Sequence, residues 1–498
     1  MGADRRLRAA VAAVAVLLAS GCTGRGTAKP TPAPVPSPPP VAADLLTGRS
    51  TPVPDPQYPY RGNADLDVLH YDLVLRWEPG TATLTGTATL SIRPVRPVGV
   101  LSLDFAGWYA VDGASVNGTA SAPRATGDDK LVLPLGTPLP ADTVATVVVR
   151  YHGRPHEVTM PSSRSDAEEG LGLRATPTGE AWTMQEPFGA FTWYPVNDIP
   201  SDKAGYDITV TVPAGWSAIA SGEFGGMRSG PDGDTFTWHG ADPRASYLTT
   251  LAIGHYARLD RTGPHGLPIT VWTRVGVDDA LVQPLRMVPE MIEWLEARFG
   301  RYPFGSVGVV TVASDSAMET QEMVTLGALI APKAGAQRAG YIAQTVLHEL
   351  AHQWFGDAVT PTDWRGLWLN EGFATWIQYR WQVEQRTLDE AEWRKAALAS
   401  DGALRRKYGP PGAPHADAFA APNVYTSAAL MLQAIADRIG DAAFLALARD
   451  WVREHRDGNA DRALFTAFVW RHTGQDLTAL INAWLDAPTT PPAALGGR

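Results

Sequence analysis

The chain has 498 residues, of which 45% are hydrophobic and 19% charged, with 17 tryptophans. That balance excludes a disordered polypeptide and provides enough apolar surface for more than one packed domain. A formal charge of −10 excludes a nucleic-acid binder, which needs a basic surface for phosphate, and by itself identifies no substrate.

Residues 1–22 read as a signal peptide. Arg5, Arg6 and Arg8 precede an apolar run of about a dozen residues, too short to span a bilayer. The run closes in "LASGC", which resembles a bacterial lipoprotein box, although Ala19 stands where Leu is commonest. Cys22, the only cysteine, would then carry the lipid and hold an exported protein on the extracytoplasmic face of the cell membrane. Plain secretion is the alternative. Residues 23–60 are proline-rich and read as an extended spacer without chemistry of its own.

From 61 to 258 the period is two. "YDLVLRW" puts Tyr71, Leu73, Leu75 and Trp77 on one face, "YDITVTV" does the same with Tyr206, Ile208, Val210 and Val212, and "TATVVVRY" is a third β-branched run. Turn residues separate these runs, so this part is expected to be an antiparallel β domain. Residues 259–487 read as a second domain of mixed β and α character. In "LRMVPEMIEWLEARFG" Met287, Met291 and Leu295 recur at four-residue spacing, a helix face ended by Gly300. The short strand "VGVVTV" and then "SAMETQEMVTLG" follow, and from Ala339 the chain is mostly helical to about Leu485. Residues 488–498 read as a loose tail.

In "GYIAQTVLHELAHQWFG" Ile342, Val346, Leu350 and Trp354 mark the buried face of one helix. His348 and His352, one turn apart, can point at a single ion with Glu349 beside them. This H-E-x-x-H spacing is the zinc-peptidase arrangement, in which the carboxylate activates water at the metal. Two histidines falling by chance on a core helix is the other reading. A catalytic zinc needs a third protein ligand, and Glu371 in "DWRGLWLNEGFATWIQ" could supply it from a second helix. The pattern with a third histidine fails, because Phe355 and Ala358 occupy its glycine and histidine positions.

"HELAHQWFGD" followed by "LWLNEGFATW" resembles the aminopeptidase N family of zinc metallopeptidases, gluzincins related to the leukotriene hydrolase/aminopeptidase. The resemblance covers about Gly62 to Leu485. "GNADLDVLHYDLVLRW" is similar to the opening strand of the family's saddle-shaped β domain, and "MIEWLEARFGRYPF" to the entry of its thermolysin-like α+β catalytic domain. It implies one zinc per chain, held by His348, His352 and Glu371, with Glu349 as general base and Tyr425 of "NVYTSAALML" stabilising the oxyanion. Glu319 of "SAMET" and Glu186 of "TMQEPFGA" would bind the free amine of a peptide substrate, and Ala317 and Met318 would line the strand that holds its backbone.

The departures from the family pattern are Ser316 for Gly and Thr320 for Asn in the substrate segment, Gln378 where Glu is common, and Thr426 and Ser427 after the tyrosine. The large family members carry a further helical domain closing over the cleft. Only a short stretch follows Leu485 here, so a more open cleft is expected. The functions to be separated are thus a zinc aminopeptidase, an endopeptidase or epoxide hydrolase on the same metal site, and a non-catalytic peptide-binding surface lipoprotein.

Overall fold

A computed structural model describes residues 45–330 and 335–492 of the chain. The expected signal peptide, Cys22 and most of the proline-rich stretch lie outside the described residues. The β half is built on an eight-stranded sheet in the spatial order 223–230, 233–245, 203–212, 66–78, 83–94, 145–153, 110–116 and 119–121. Tyr71, Leu73, Leu75 and Trp77 are buried on one face, as are Tyr206, Ile208, Val210 and Val212, so the two-residue period predicted the covered side correctly. One pairing differs from the expected antiparallel pattern. Leu66–Glu78 and Lys203–Val212 run parallel at the middle of the sheet, with Tyr71 opposite Tyr206 and Leu73 opposite Ile208. A side-chain period of two is the same for both pairings, so the sequence carries no sign of this crossover.

A four-stranded sheet, in the order 217–220, 251–254, 181–184 and 172–175, leads directly to Glu186. A mixed five-stranded sheet follows, in the order 256–262, 268–274, 307–312, 324–327 and 317–318. Its first strand, Tyr256–Thr262, crosses the expected domain boundary at 258. Ala317–Met318 is the edge strand, paired on one side only with Val324–Gly327.

The helix at 288–299 begins one residue later than the four-residue spacing implied. Met291 and Leu295 are buried, whereas Met287 precedes the helix and is exposed. The two-histidine helix runs from Gly335 to His352, and Ile342, Val346, Leu350 and Trp354 are all fully buried. The end of the expected spacer also departs from an extended chain. Asp55 is buried; its Oδ1 accepts from the backbone N–H groups of Gln57 and Tyr58, and its Oδ2 from that of Trp364 in the second half of the molecule. Tyr58 is buried against Phe188 and Phe419. Composition pointed to a solvated spacer, but burial of these few apolar and hydrogen-bonding groups outweighs the extended preference of the neighbouring prolines.

Candidate active site

All nine residues singled out in the sequence, Glu186, Ala317, Met318, Glu319, His348, Glu349, His352, Glu371 and Tyr425, line one cleft of about 370 Å³. The two-histidine helix forms its floor. Asp357 N and Ala358 N return to the carbonyls of His352 and Gln353, and the chain then turns at Gly356, whose φ is +138°. A Cβ there would stand 3.3 Å from His352 Nδ1 and 3.2 Å from Asn370 Cγ, so the position needs glycine on both counts. The helix Leu367–Glu384 brings Glu371 across the floor.

The ring nitrogens fix the chemistry. His348 Nδ1 lies 3.0 Å from Gln378 Oε1, and His352 Nδ1 lies 3.1 Å from the Phe355 carbonyl. Both partners can only accept, so each Nδ1 carries its proton and each Nε2 presents a lone pair. The two Nε2 atoms are 3.1 Å apart, and Glu371 Oε2 is 3.1 Å from one and 3.4 Å from the other. Three buried lone-pair atoms facing one another repel unless a cation lies between them. Ligands of a tetrahedral zinc stand roughly 3.3 Å apart, so the spacing and the donor types fit that ion. Among the described residues this is the only such group of three.

Glu349, beside the ligands, is buried, and that burial, with the neighbouring Glu319 and Glu371 carboxylates, pushes its carboxyl up to about 8. Burial also raises Glu186 and Glu319, and each is raised further by neighbouring carboxylates. Oε1 of both is enclosed without a hydrogen-bond partner. Glu319 is held from below by Gln353, whose amide donates to the Glu319 carbonyl at 2.8 Å while its Oε1 accepts from Tyr302 Oη and Glu322 N, both at 2.9 Å. Tyr425 sits in a widened helical turn, Asn423–Ser427, with its ring stacked over His348 at 6.0 Å. Such turns widen a helix locally and re-aim one side chain.

Three of the family departures, Gln378, Thr320 and Ser316, find partners, whereas Ser427 Oγ is buried without one. Gln378 takes the position that orients His348. Thr320 Oγ1 lies 2.9 Å from Thr325 Oγ1 and donates to the Met323 carbonyl within its own turn. Ser316 Oγ donates to Asp166 at 2.8 Å. Asp166, Arg164 and Gln353 were not found from the sequence. The first two lie in "PSSRSDAEEG", a polar loop with no periodicity to mark it, and Gln353 reads as an ordinary neighbour of the motif.

The model of the Peptidase family M1 domain matches residues 284–484. Aminopeptidase M1-D of Oryza sativa subsp. japonica is 25% identical over 457 residues, 85% of this chain and 51% of that protein. Aminopeptidase 2 of Candida albicans is 23% identical, over 84% of this chain and 46% of its own length. The chain therefore spans about half the length of these relatives. An M1 zinc metallopeptidase from Deinococcus radiodurans superposes with a TM-score of 0.77 at 28% identity, covering 90% of this chain and 100% of that one. The same protein has also been solved with a Tyr-Ser-Ala substrate, and it matches there with the same score. With three side chains placed to hold a metal ion, a Peptidase family M1 domain matched over the helical half and a fold shared across both halves with an M1 zinc metallopeptidase, the chain is similar to peptidase family M1.

Proposed function

We propose that the protein is a zinc aminopeptidase that removes residues from the free N-terminus of peptides. The observation that carries this reading is the pair Glu186 and Glu319. Two enclosed carboxylates, each with an unpartnered oxygen, share a cleft with the metal triad and call for a cationic donor. A peptide α-ammonium supplies three N–H groups and a positive charge, and pairing it there sets the distance from the amine to the bond being cut. An endopeptidase has no use for such a pair.

His348, His352 and Glu371 would hold the zinc, which supplies Lewis-acid polarisation of the scissile carbonyl and lowers the pKa of water towards neutrality. Glu349 takes the proton of the attacking water and passes it to the leaving amine. A carboxylate beside the ligands is placed to do both. Tyr425 donates its phenol proton to the oxygen that becomes negative. The free edge of Ala317–Met318 offers backbone groups to an extended peptide, which would add to the sheet as one more strand, with Met318 against its first side chain.

The test is release of the fluorophore from aminoacyl-coumarin substrates. Activity is expected to vanish with a chelator and return with zinc, and N-acetylated substrates should stay intact. Glu349→Gln is expected to lower kcat on the order of 10²–10⁴-fold with zinc still bound. Undiminished turnover in that variant overturns the mechanism. The proposed setting, an exported protein anchored through lipid on Cys22, is supported by the sequence of residues 1–22 alone. Loss of membrane association in Cys22→Ala tests it.

A further inference from the structure

Among the described residues lining the cleft, Arg164 is the one lysine or arginine, and it comes from the β half of the molecule. Its guanidinium is fixed. Nε and Nη2 donate to the two oxygens of Asp166 at 2.9 and 2.6 Å, a planar two-point pairing, while Nη1 donates to Tyr425 Oη at 3.0 Å and towards the Ala420 carbonyl at 3.4 Å. Asp166 is fixed in turn by the hydroxyl of Ser316, the residue that departs from the family glycine.

The surrounding segment, 160–170, is pinned to both banks of the cleft. On one bank, Ser162 Oγ donates to the Phe419 carbonyl at 2.7 Å and Phe419 N donates to Pro161 O at 3.0 Å, just ahead of the turn that carries Tyr425. On the other, Glu169 accepts from Ser314 Oγ at 2.6 Å and from Asp315 N at 3.0 Å, just ahead of the edge strand Ala317–Met318.

We propose that Arg164, held by Asp166 and Ser316, is a positioning residue for Tyr425 that fixes its phenol oxygen and turns the phenol proton towards the reacting carbonyl. This rests on the peptidase reading given above. Since Tyr425 Oη accepts a charged donor from Arg164, its own O–H must point elsewhere, and the remaining direction is the cleft, on the side of Glu371. Accepting from a guanidinium also polarises the phenol, so its outgoing hydrogen bond strengthens as negative charge develops on the substrate oxygen. The hydroxyl of Ser316 thereby gains a role that a glycine could not fill. It links the strand proposed to hold the peptide to the group proposed to hold the oxyanion.

The zinc-loaded full chain tests this in a cycle of Arg164→Gln, Tyr425→Phe and the double variant, measured on an aminoacyl-coumarin. Arg164→Gln is expected to lower kcat roughly 10- to 100-fold with KM changed by less than about threefold. Affinity for a peptide phosphonate, which mimics the tetrahedral state, should fall by a similar factor, while affinity for a product amino acid should not. In the Tyr425→Phe background Arg164→Gln should have little further effect, because the two act as one unit. Ser316→Gly should show a smaller loss of the same kind, with an unchanged melting temperature. Arg164→Lys, which cannot hold Asp166 and the phenol together, should not restore kcat. Additive losses in the cycle, or a rise in KM with kcat intact, overturn the proposal. If Tyr425→Phe is crippled while Arg164→Gln turns over normally, this proposal alone falls. If Tyr425→Phe is itself fully active, the role given to the tyrosine falls first.

Discussion

His348 owes its direction to Gln378, whose Oε1 accepts a hydrogen bond from Nδ1–H and leaves Nε2 to face the metal position. A neutral amide does this as well as a carboxylate in geometry, but it lends the imidazole less basicity. Gln378→Ala is expected to weaken zinc binding roughly 10- to 100-fold, and Gln378→Glu to tighten it, both read as zinc retained against a graded chelator. Another single residue contributes to the acid limb of stability. Asp207 lies between His70, at 3.3 Å, and His239 on the sheet surface, and the His70 hydrogen bond leads the effects that lower its carboxyl to about 2 from an ordinary 3.8. A carboxylate depressed in the folded state stabilises above its unfolded value and loses that contribution as pH falls through the folded one. The difference in urea midpoint between the wild type and Asp207→Asn should therefore shrink as pH falls from about 4 to about 2. A difference that persists at pH 2 contradicts the assignment.

The active site depends on two helices that approach closely at a glycine. A Cβ on Gly372, the residue after Glu371, would come within 2.7 Å of the Ala428 Cβ at the start of the helix Ala428–Ile439. Neither atom belongs to a flexible side-chain end, so the backbones must separate to admit it. Gly372→Val is expected to cost about 1–3 kcal/mol of stability and to displace Glu371 from the imidazoles. Calorimetry and zinc content should fall together; a stable variant with a full complement of zinc would show that the helices can part without consequence. The same contact places Tyr425, in the turn leading into that second helix, over His348. The tyrosine is thus aimed by helix packing as well as by the widened turn that holds it.

Across the whole molecule the β half is joined to the catalytic half by buried polar groups rather than by a loose tether. Lys203, in the central sheet, is buried and donates to the Asp357 carbonyl at 2.8 Å, immediately beyond the zinc motif. Asp55 joins the chain ahead of the first strand to Trp364 N at 2.8 Å. Removing that carboxylate leaves buried donors unpaired, so Asp55→Ala is expected to cost about 1–3 kcal/mol, measurable as a lower denaturant midpoint with kcat preserved in the folded enzyme. A truncation that removes residues before 61 should cost more, since it also strips Tyr58 from Phe188 and Phe419.

The two histidines of the triad were legible in the sequence because their geometry is local, whereas Glu371, on a second helix, was implied by the family resemblance. One helical turn separates His348 from His352, and the residue types admit few other uses. The faces of the strands were legible for the same reason, since alternation survives whatever the strand pairs with. Tertiary structure alone decided the parallel pairing of Leu66–Glu78 with Lys203–Val212, the burial of Asp55 and Tyr58, and the reach of Arg164 to Tyr425. Each of these joins residues more than a hundred positions apart, and in two of them groups of solvated composition become buried or partnered by meeting a distant partner. Periodicity records what a residue does for its own element. It holds no record of what that element will meet.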